Sequence, residues 1–267
     1  MKLHTKKHTL LLAVVLAVLA AAGLARTFRA TASPARQPLA MPVADVLPAF
    51  TCPEDAPGER TCELWAREGS ITLPDGGTAP IWGFANRLPD AASFPGPALI
   101  VDQGDIVNVV FHNEIPGENI SLVFTGQELY PVLTGIATSE TVTYTFTAVS
   151  PGTFKYEAGL TPNGARQVAM GLGGGLIVRP ATANQAYDVA ASAYDDEALL
   201  VFNELDPAFN ADPNGFNMTD YKPSYWFING KAYSETEKIF TAPGNNVLLR
   251  AVNLGLQEHS LGVLGMH

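Results

Sequence analysis

The sequence predicts an all-β fold of many short strands, a sandwich or Greek-key barrel, on the strength of three observations. After residue 50 the apolar pattern has a two-residue period almost everywhere, with turn residues every 8 to 15 positions. No window after the first 32 residues carries a sustained apolar stripe of helical period. Glycine (24) and proline (20) are abundant without a three-residue period, which excludes collagen and favours a turn-rich chain. With 267 residues, 47% of them hydrophobic and 16% charged, the chain can bury a core and has length for about two domains.

Taken in order, residues 1–8 are polar and basic, and residues 10–25 are apolar without a break. Ala30-Thr31-Ala32 then supplies small residues at a spacing suited to signal cleavage. Residues 1–32 therefore read as an export signal, with an uncleaved N-terminal anchor as the alternative. The apolar run would be a helix of about 24 Å, short for a hydrocarbon core of about 30 Å. Residues 33–50 hold four prolines and no alternation, as expected of a tether. The membrane is thus expected as a partner only through the N-terminal segment.

Charge is unevenly placed. Five of the 16 basic groups lie in the first 32 residues beside no acid, which leaves 11 against 26 acidic groups and a body of about −15. Such a surface repels phosphate backbones, so no nucleic-acid partner is expected. Cys52 and Cys62, ten positions apart in a chain read as exported, predict a disulfide. Neither Cys-x-x-Cys spacing nor a neighbouring His supports a metal site there.

Strands are expected at Ser70–Leu73 and Ala79–Ala85 around Pro74-Asp75-Gly76-Gly77, which is a hairpin signal. A second hairpin is expected from Pro97–Val101 and Ile106–His112 around Asp102-Gln103-Gly104-Asp105. Val142, Tyr144 and Phe146 alternate with threonines, marking a strand buried on one face. Gly174–Val178, Leu199–Phe202 and Asn246–Val252 are further strand-like runs, and Trp82 and Trp226 are expected in the core. The acidic residues Asp195, Asp196, Glu197, Asp206 and Asp212 lack the alternation of a calcium loop and read as solvated. The glycine-rich run Gly171–Gly175 leads into a strand, so it serves close packing and not phosphate binding.

One internal echo organises the rest. Gly104 to Asn113 (GDIVNVVFHN) is mirrored 140 residues later by Gly244 to Asn253 (GNNVLLRAVN), each followed by a segment expected as a Ser-containing strand, at Ser121 and Ser260. Tandem copies of one β domain follow, at residues 51–182 and 185–267. The second copy is short, so it is expected to be incomplete, in a fragment of a longer protein or a truncated reading frame.

From Pro95 to Pro180 the chain resembles the first plastocyanin-like (cupredoxin) domain of multicopper oxidases. The resemblance lies in PGPALIV at residues 95–101, QGDIV at 103–107 with Asn113, PGTFKY at 151–156, Gln167, and GLGGGLIV at 171–178. WFINGKAY at 226–233 and VLLRAVN at 247–253 are similar to the opening of the family's next domain. The resemblance implies tandem cupredoxin-like Greek-key β-sandwich domains, the second incomplete. It also implies copper as cofactor, in an oxidoreductase with a type 1 copper and a trinuclear centre. A small-molecule or metal-ion reductant and a homo-oligomer are the partners it suggests.

The same resemblance exposes departures. The family's His-Trp-His-Gly motif falls on Val123-Phe124-Thr125-Gly126, and its His-Ser-His motif on Glu157-Ala158-Gly159. Copper clusters of this kind want neutral imidazole, so copper is not expected in the first domain. Glu258 to His267 (EHSLGVLGMH) resembles the family's His-Pro-x-His-x-His-Gly-His segment, with His259 on the first His and His267 one residue late. His259 and His267 are therefore the metal-ligand candidates, set on one face of an expected strand, and no residue is assigned a catalytic or cofactor-binding role. Eight residues of straight strand span about 26 Å, so these two cannot share an ion without a turn between them.

Overall fold

Arg60 fixes the corner at Asp102–Asp105 on which the chain turns. Its Nη2 meets Asp102 Oδ2 at 2.6 Å, its Nε meets Asp105, and its Nη1 donates to the Cys52 carbonyl at 3.0 Å. A computed structural model describes residues 49–263, all within the compact unit Met41–His267. The expected leader, the tether as far as residue 48, and His267 lie outside the described residues.

Residues 49–179 form a sandwich of two sheets. One has five strands in the order β1 (Ala49–Thr51), β5 (Gly96–Asp102), β10 (Gly173–Arg179), β9 (Gly152–Ala158) and β7 (Leu122–Phe124). The other runs β2 (Glu54–Ala56), β3 (Glu59–Thr72), β6 (Ile106–Asn113) and β8 (Thr141–Thr147), with β4 (Thr78–Ala85) hydrogen-bonded to β3. Leu64, Phe84, Leu99, Val109, Phe111, Tyr156 and Leu176 are among the buried residues that fill the space between them. Tyr156 is wholly buried and donates to the Pro97 carbonyl at 2.7 Å. A Cβ on Gly174 would collide with its ring, which gives one glycine of the 171–175 run its close-packing role.

The Pro74–Gly77 hairpin is present, with Thr72 opposite Thr78. The second expected hairpin is not: β5 and β6 lie in different sheets. β5 pairs in parallel with β1 and β10, whereas β6 pairs with β3 and β8. Asp105 Oδ2 accepts from the Asp102 N–H at 2.8 Å while Arg60 holds both carboxylates, so the turn carries the chain across the core. The last residues of the expected tether also differ. Ala49–Thr51 forms a parallel strand on Ala98–Ile100, and the adjacent Cys52 is fixed to Cys62 by the expected disulfide.

A third sheet, β12 (Tyr225–Ile228), β11 (Asp196–Leu205) and β13 (Val247–Asn253), covers the outer face of the first. Leu199, Val201, Val252 and Leu254 pack there on Ala98, Ile100 and Ile177. The echo has a structural counterpart, since β13 lies parallel to β11 as β6 lies parallel to β3. Ser260, however, sits in irregular chain. Among the described residues no helix is long and apolar enough to cross a membrane.

Glu197 corrects the expectation of a solvated acidic loop. It lies in β11, paired with Arg179 at 2.8 Å and with the buried Arg250, which also donates to Thr153 Oγ1 on β9 at 2.9 Å. Asp206 is likewise buried, its Oδ1 accepting from the N–H of Ala208 at the start of a short helix. Burial acts to raise the Glu197 pKa, but Arg250 and Arg179 outweigh it and hold the carboxyl below its ordinary value.

Two predictions follow from these contacts. Replacing Cys52 and Cys62 by Ser should cost about 2.5–3 kcal/mol, from the chain entropy of so short a loop, read as a lower denaturant midpoint. Because the Glu197 pKa is depressed on folding, its contribution is complete above the unfolded value of about 4.3 and is lost as the pH falls through the folded one. Glu197→Gln should cost about 3 kcal/mol at neutral pH, by stranding Arg250, and should flatten the acid limb of the stability curve.

Candidate functional site

Two places carry the candidate chemistry. The first is formed by β7 and β9, antiparallel neighbours with Val123 opposite Glu157 and Phe124 opposite Tyr156. Alternation sends Phe124 and Ala158 into the core and leaves Val123, Thr125 and Glu157 half-buried on the other face. The fold thus brings together the two segments that stand at the family's histidine motifs.

Their chemistry does not suit copper. Lys155 Nζ lies 2.7 Å from Glu157 Oε2, so the carboxylate is already neutralised. Thr125 Oγ1 donates to the Lys155 carbonyl at 3.0 Å and accepts from its N–H at 3.1 Å, so the hydroxyl is spent on the backbone. Val123 and Gly159 offer no donor atom. An aliphatic side chain, an occupied hydroxyl, a paired carboxylate and a glycine do not fit a trinuclear copper cluster. Nor does a type 1 centre fit: it needs a thiolate, and both cysteines of the sequence are in the disulfide.

The second place is the outward face of the third sheet. Trp226 stands opposite Glu204, and Ile228 opposite Phe202, so all four share one face. The turn after β13 folds over them. Asn253 Oδ1 accepts from Gly255 N–H at 2.9 Å, and Glu204 Oε1 accepts from the N–H groups of Leu256 and Gln257. These bonds bring His259 onto Phe202, with ring centroids 5.5 Å apart and planes 21° from parallel. His259 is therefore in irregular chain and not on the expected strand, and His267 lies outside the described residues. Among the described residues no group of three metal-donor side chains forms.

Beneath the imidazole, the Glu204 side chain is fully buried, and its Oε2 lies 3.5 Å from His259 Nε2 with no hydrogen-bond partner among the described residues. Burial also pushes the Tyr221 hydroxyl pKa up, with the Glu204 and Asp206 carboxylates adding to the shift. Phe202, Trp226, Ile228, Tyr233 and His259 line a cleft of about 300 Å³. Trp226 is half exposed, contrary to the expected core position. Glu204 and the cleft went unread in the sequence, although an acid inside the apolar run from Leu199 to Leu205 is a signal that a buried carboxylate has a specific partner.

The family model described as multicopper oxidase matches residues 68–183. Laccase-3 of Botryotinia fuckeliana is 32% identical over 111 residues, which are 38% of this chain and 23% of that protein. Among solved structures, a blue copper oxidase from Nitrosomonas europaea superposes with a TM-score of 0.63 at 22% identity, covering 74% of this chain and 61% of that one. A copper nitrite reductase from the same organism gives 0.61 at 28% identity, covering 75% and 69%. The chain thus spans about a quarter of the laccase and three fifths of the blue copper oxidase.

The turn over Glu204 yields a prediction. A Cβ on Gly255 would collide with the Glu204 carboxylate, so Gly255→Ala should cost about 1–3 kcal/mol in urea unfolding and should displace the His259 ring signals in NMR. Residues 68–183 thus match the multicopper oxidase family model, and the chain resembles that family in its cupredoxin-like β-sandwich fold.

Proposed function

We propose that this is an exported multicopper-oxidase-like protein whose first domain has given up copper and serves as a structural or subunit-packing domain. The observation that carries this reading is the Lys155–Glu157 ion pair at a position where the family places an imidazole. A retained sandwich with its donor atoms replaced is what selection for packing, without selection for metal, leaves behind. At family level the oxidoreductase activity, with a small-molecule or metal-ion reductant, would then need thiolate and imidazole donors beyond the described residues. Homo-oligomerisation and the two-domain division at residues 51–182 and 185–267 belong to the same proposal.

A second reading is a copper-free binding or interaction module. Tyr130, Leu133 and Leu160, all largely exposed apolar side chains, and the aromatic cleft beside His259 favour it.

Both readings predict the same metal result for this chain. After loading the full chain with Cu(II) and removing excess, we expect no intense blue absorption and no oxidase activity against phenolic or ferrous reductants. Stoichiometric copper with a blue chromophore, assigned by spectroscopy to the Val123–Glu157 region, would overturn the first reading. Gel filtration with light scattering separates the two: a defined oligomer broken by charge reversal at Lys155 supports the packing role.

A further inference from the structure

A β-sandwich exposes unpaired backbone at its edge strands, and β8 is such an edge. It ends its sheet, with β6 on one side and no strand among the described residues on the other. At the ends of the β6–β8 ladder, Asn113 N–H donates to the Glu140 carbonyl at 3.1 Å and Ala148 N–H to the Asp105 carbonyl at 2.9 Å. The register between them is unbroken, so the even-numbered residues from 140 to 148 spend their backbone groups on β6. The N–H and C=O groups of Thr141, Thr143, Thr145 and Thr147 therefore point to the open edge, and all four residues are exposed.

Natural edges are commonly guarded by lysine, proline or a bulge. This strand, TVTYTFT, holds no charge, proline or glycine, and its ladder has no bulge. It is also symmetric, with threonine at every position that faces the edge. Laid antiparallel on its own copy about Tyr144, it sets Thr141 opposite Thr147 and Thr143 opposite Thr145. All the free groups are then met at once, through about eight N–H···O bonds. A slip of one residue would set spent groups against free ones, and a slip of two would leave a terminal pair unmade. Phe124 of β7 packs on Tyr144 and Phe146, with ring centroids 5.8 and 5.2 Å apart, so β7 and β8 border one margin of the sandwich. The segment that joins them exposes Tyr130, Val132 and Leu133, apolar area of the kind a protein partner covers.

We propose that β8 is the docking edge for a second copy of this chain, paired antiparallel about Tyr144 into a two-fold dimer with one continuous sheet. This deepens the homo-oligomer of the reading above by naming the interface, and it holds whether or not the first domain binds copper. Lys155 lies on β9 of the other sheet, so charge reversal there, the test of the packing role, leaves this dimer intact. The bodies carry about −15 each, so repulsion limits the affinity and added salt relieves it.

Sedimentation velocity on the full chain, at rising protein and salt concentration, is expected to show a monomer–dimer equilibrium that salt strengthens. Thr143→Pro removes an edge-facing N–H that β6 does not use, so it should weaken the dimer by about tenfold and leave the unfolding midpoint nearly unchanged. Charge pairs read the register. A chain carrying Thr143→Lys and Thr145→Lys should be monomeric alone, as should one carrying Thr143→Glu and Thr145→Glu, and their equimolar mixture should restore the dimer. The proposal is overturned by a chain that stays monomeric under all these conditions, as it would if a segment of its own or a different protein covered the edge. A dimer indifferent to Thr143→Pro, or lysine and glutamate variants that fail to pair with each other, would overturn it equally. Should Thr143→Pro fail to fold, the charge pairs decide, because they alter only exposed side chains.

Discussion

The architecture depends on burying both faces of one pair of parallel strands. β5 and β10 send Leu99, Val101, Leu176 and Val178 into the sandwich and Ala98, Ile100 and Ile177 outward. Parallel strands of this kind are near-continuous apolar runs and need cover on both sides. The second sheet of the sandwich supplies one cover and the β12-β11-β13 sheet the other. This second cover fixes where everything else must lie: Arg250 and Glu197 are drawn inward at its margin, and the outward face of β11 is left to hold Glu204 and the cleft.

The same constraint bears on the two segments that stand at the family's histidine motifs. Val123 on β7, Glu157 on β9 and Thr125 just after β7 lie at the end of the sheet remote from β1 and β5. Half-buried polar positions have to be electrically and sterically satisfied. Here Lys155 neutralises Glu157, and Thr125 exchanges two hydrogen bonds with the Lys155 backbone. These contacts are ordinary surface solutions, each stable in a half-buried setting.

Glu204 is the opposite case. A fully buried carboxylate is not an ordinary solution, and here two backbone N–H groups and an imidazole are organised around it. Gly255 is required at the turn because the carboxylate occupies the space a side chain would take. The turn that carries His259 is shaped by an acid more than fifty residues earlier in the chain.

The sequence by itself determined what is local. The two-residue period gave the strands, Pro74–Gly77 the hairpin, the cysteine spacing the bridge, and the motif alignment the absence of histidine at Val123, Thr125 and Glu157. Tertiary structure decided what depends on long-range pairing. Asp102–Asp105 has the composition of a hairpin turn, yet Arg60, forty-two residues before Asp102, makes it a crossing between sheets. Trp226 has the composition of a core residue, yet its strand is covered on one face only. The pairing of Glu204 with His259 has no local signature, because a turn closing over a sheet brings together residues whose separation along the chain carries no period.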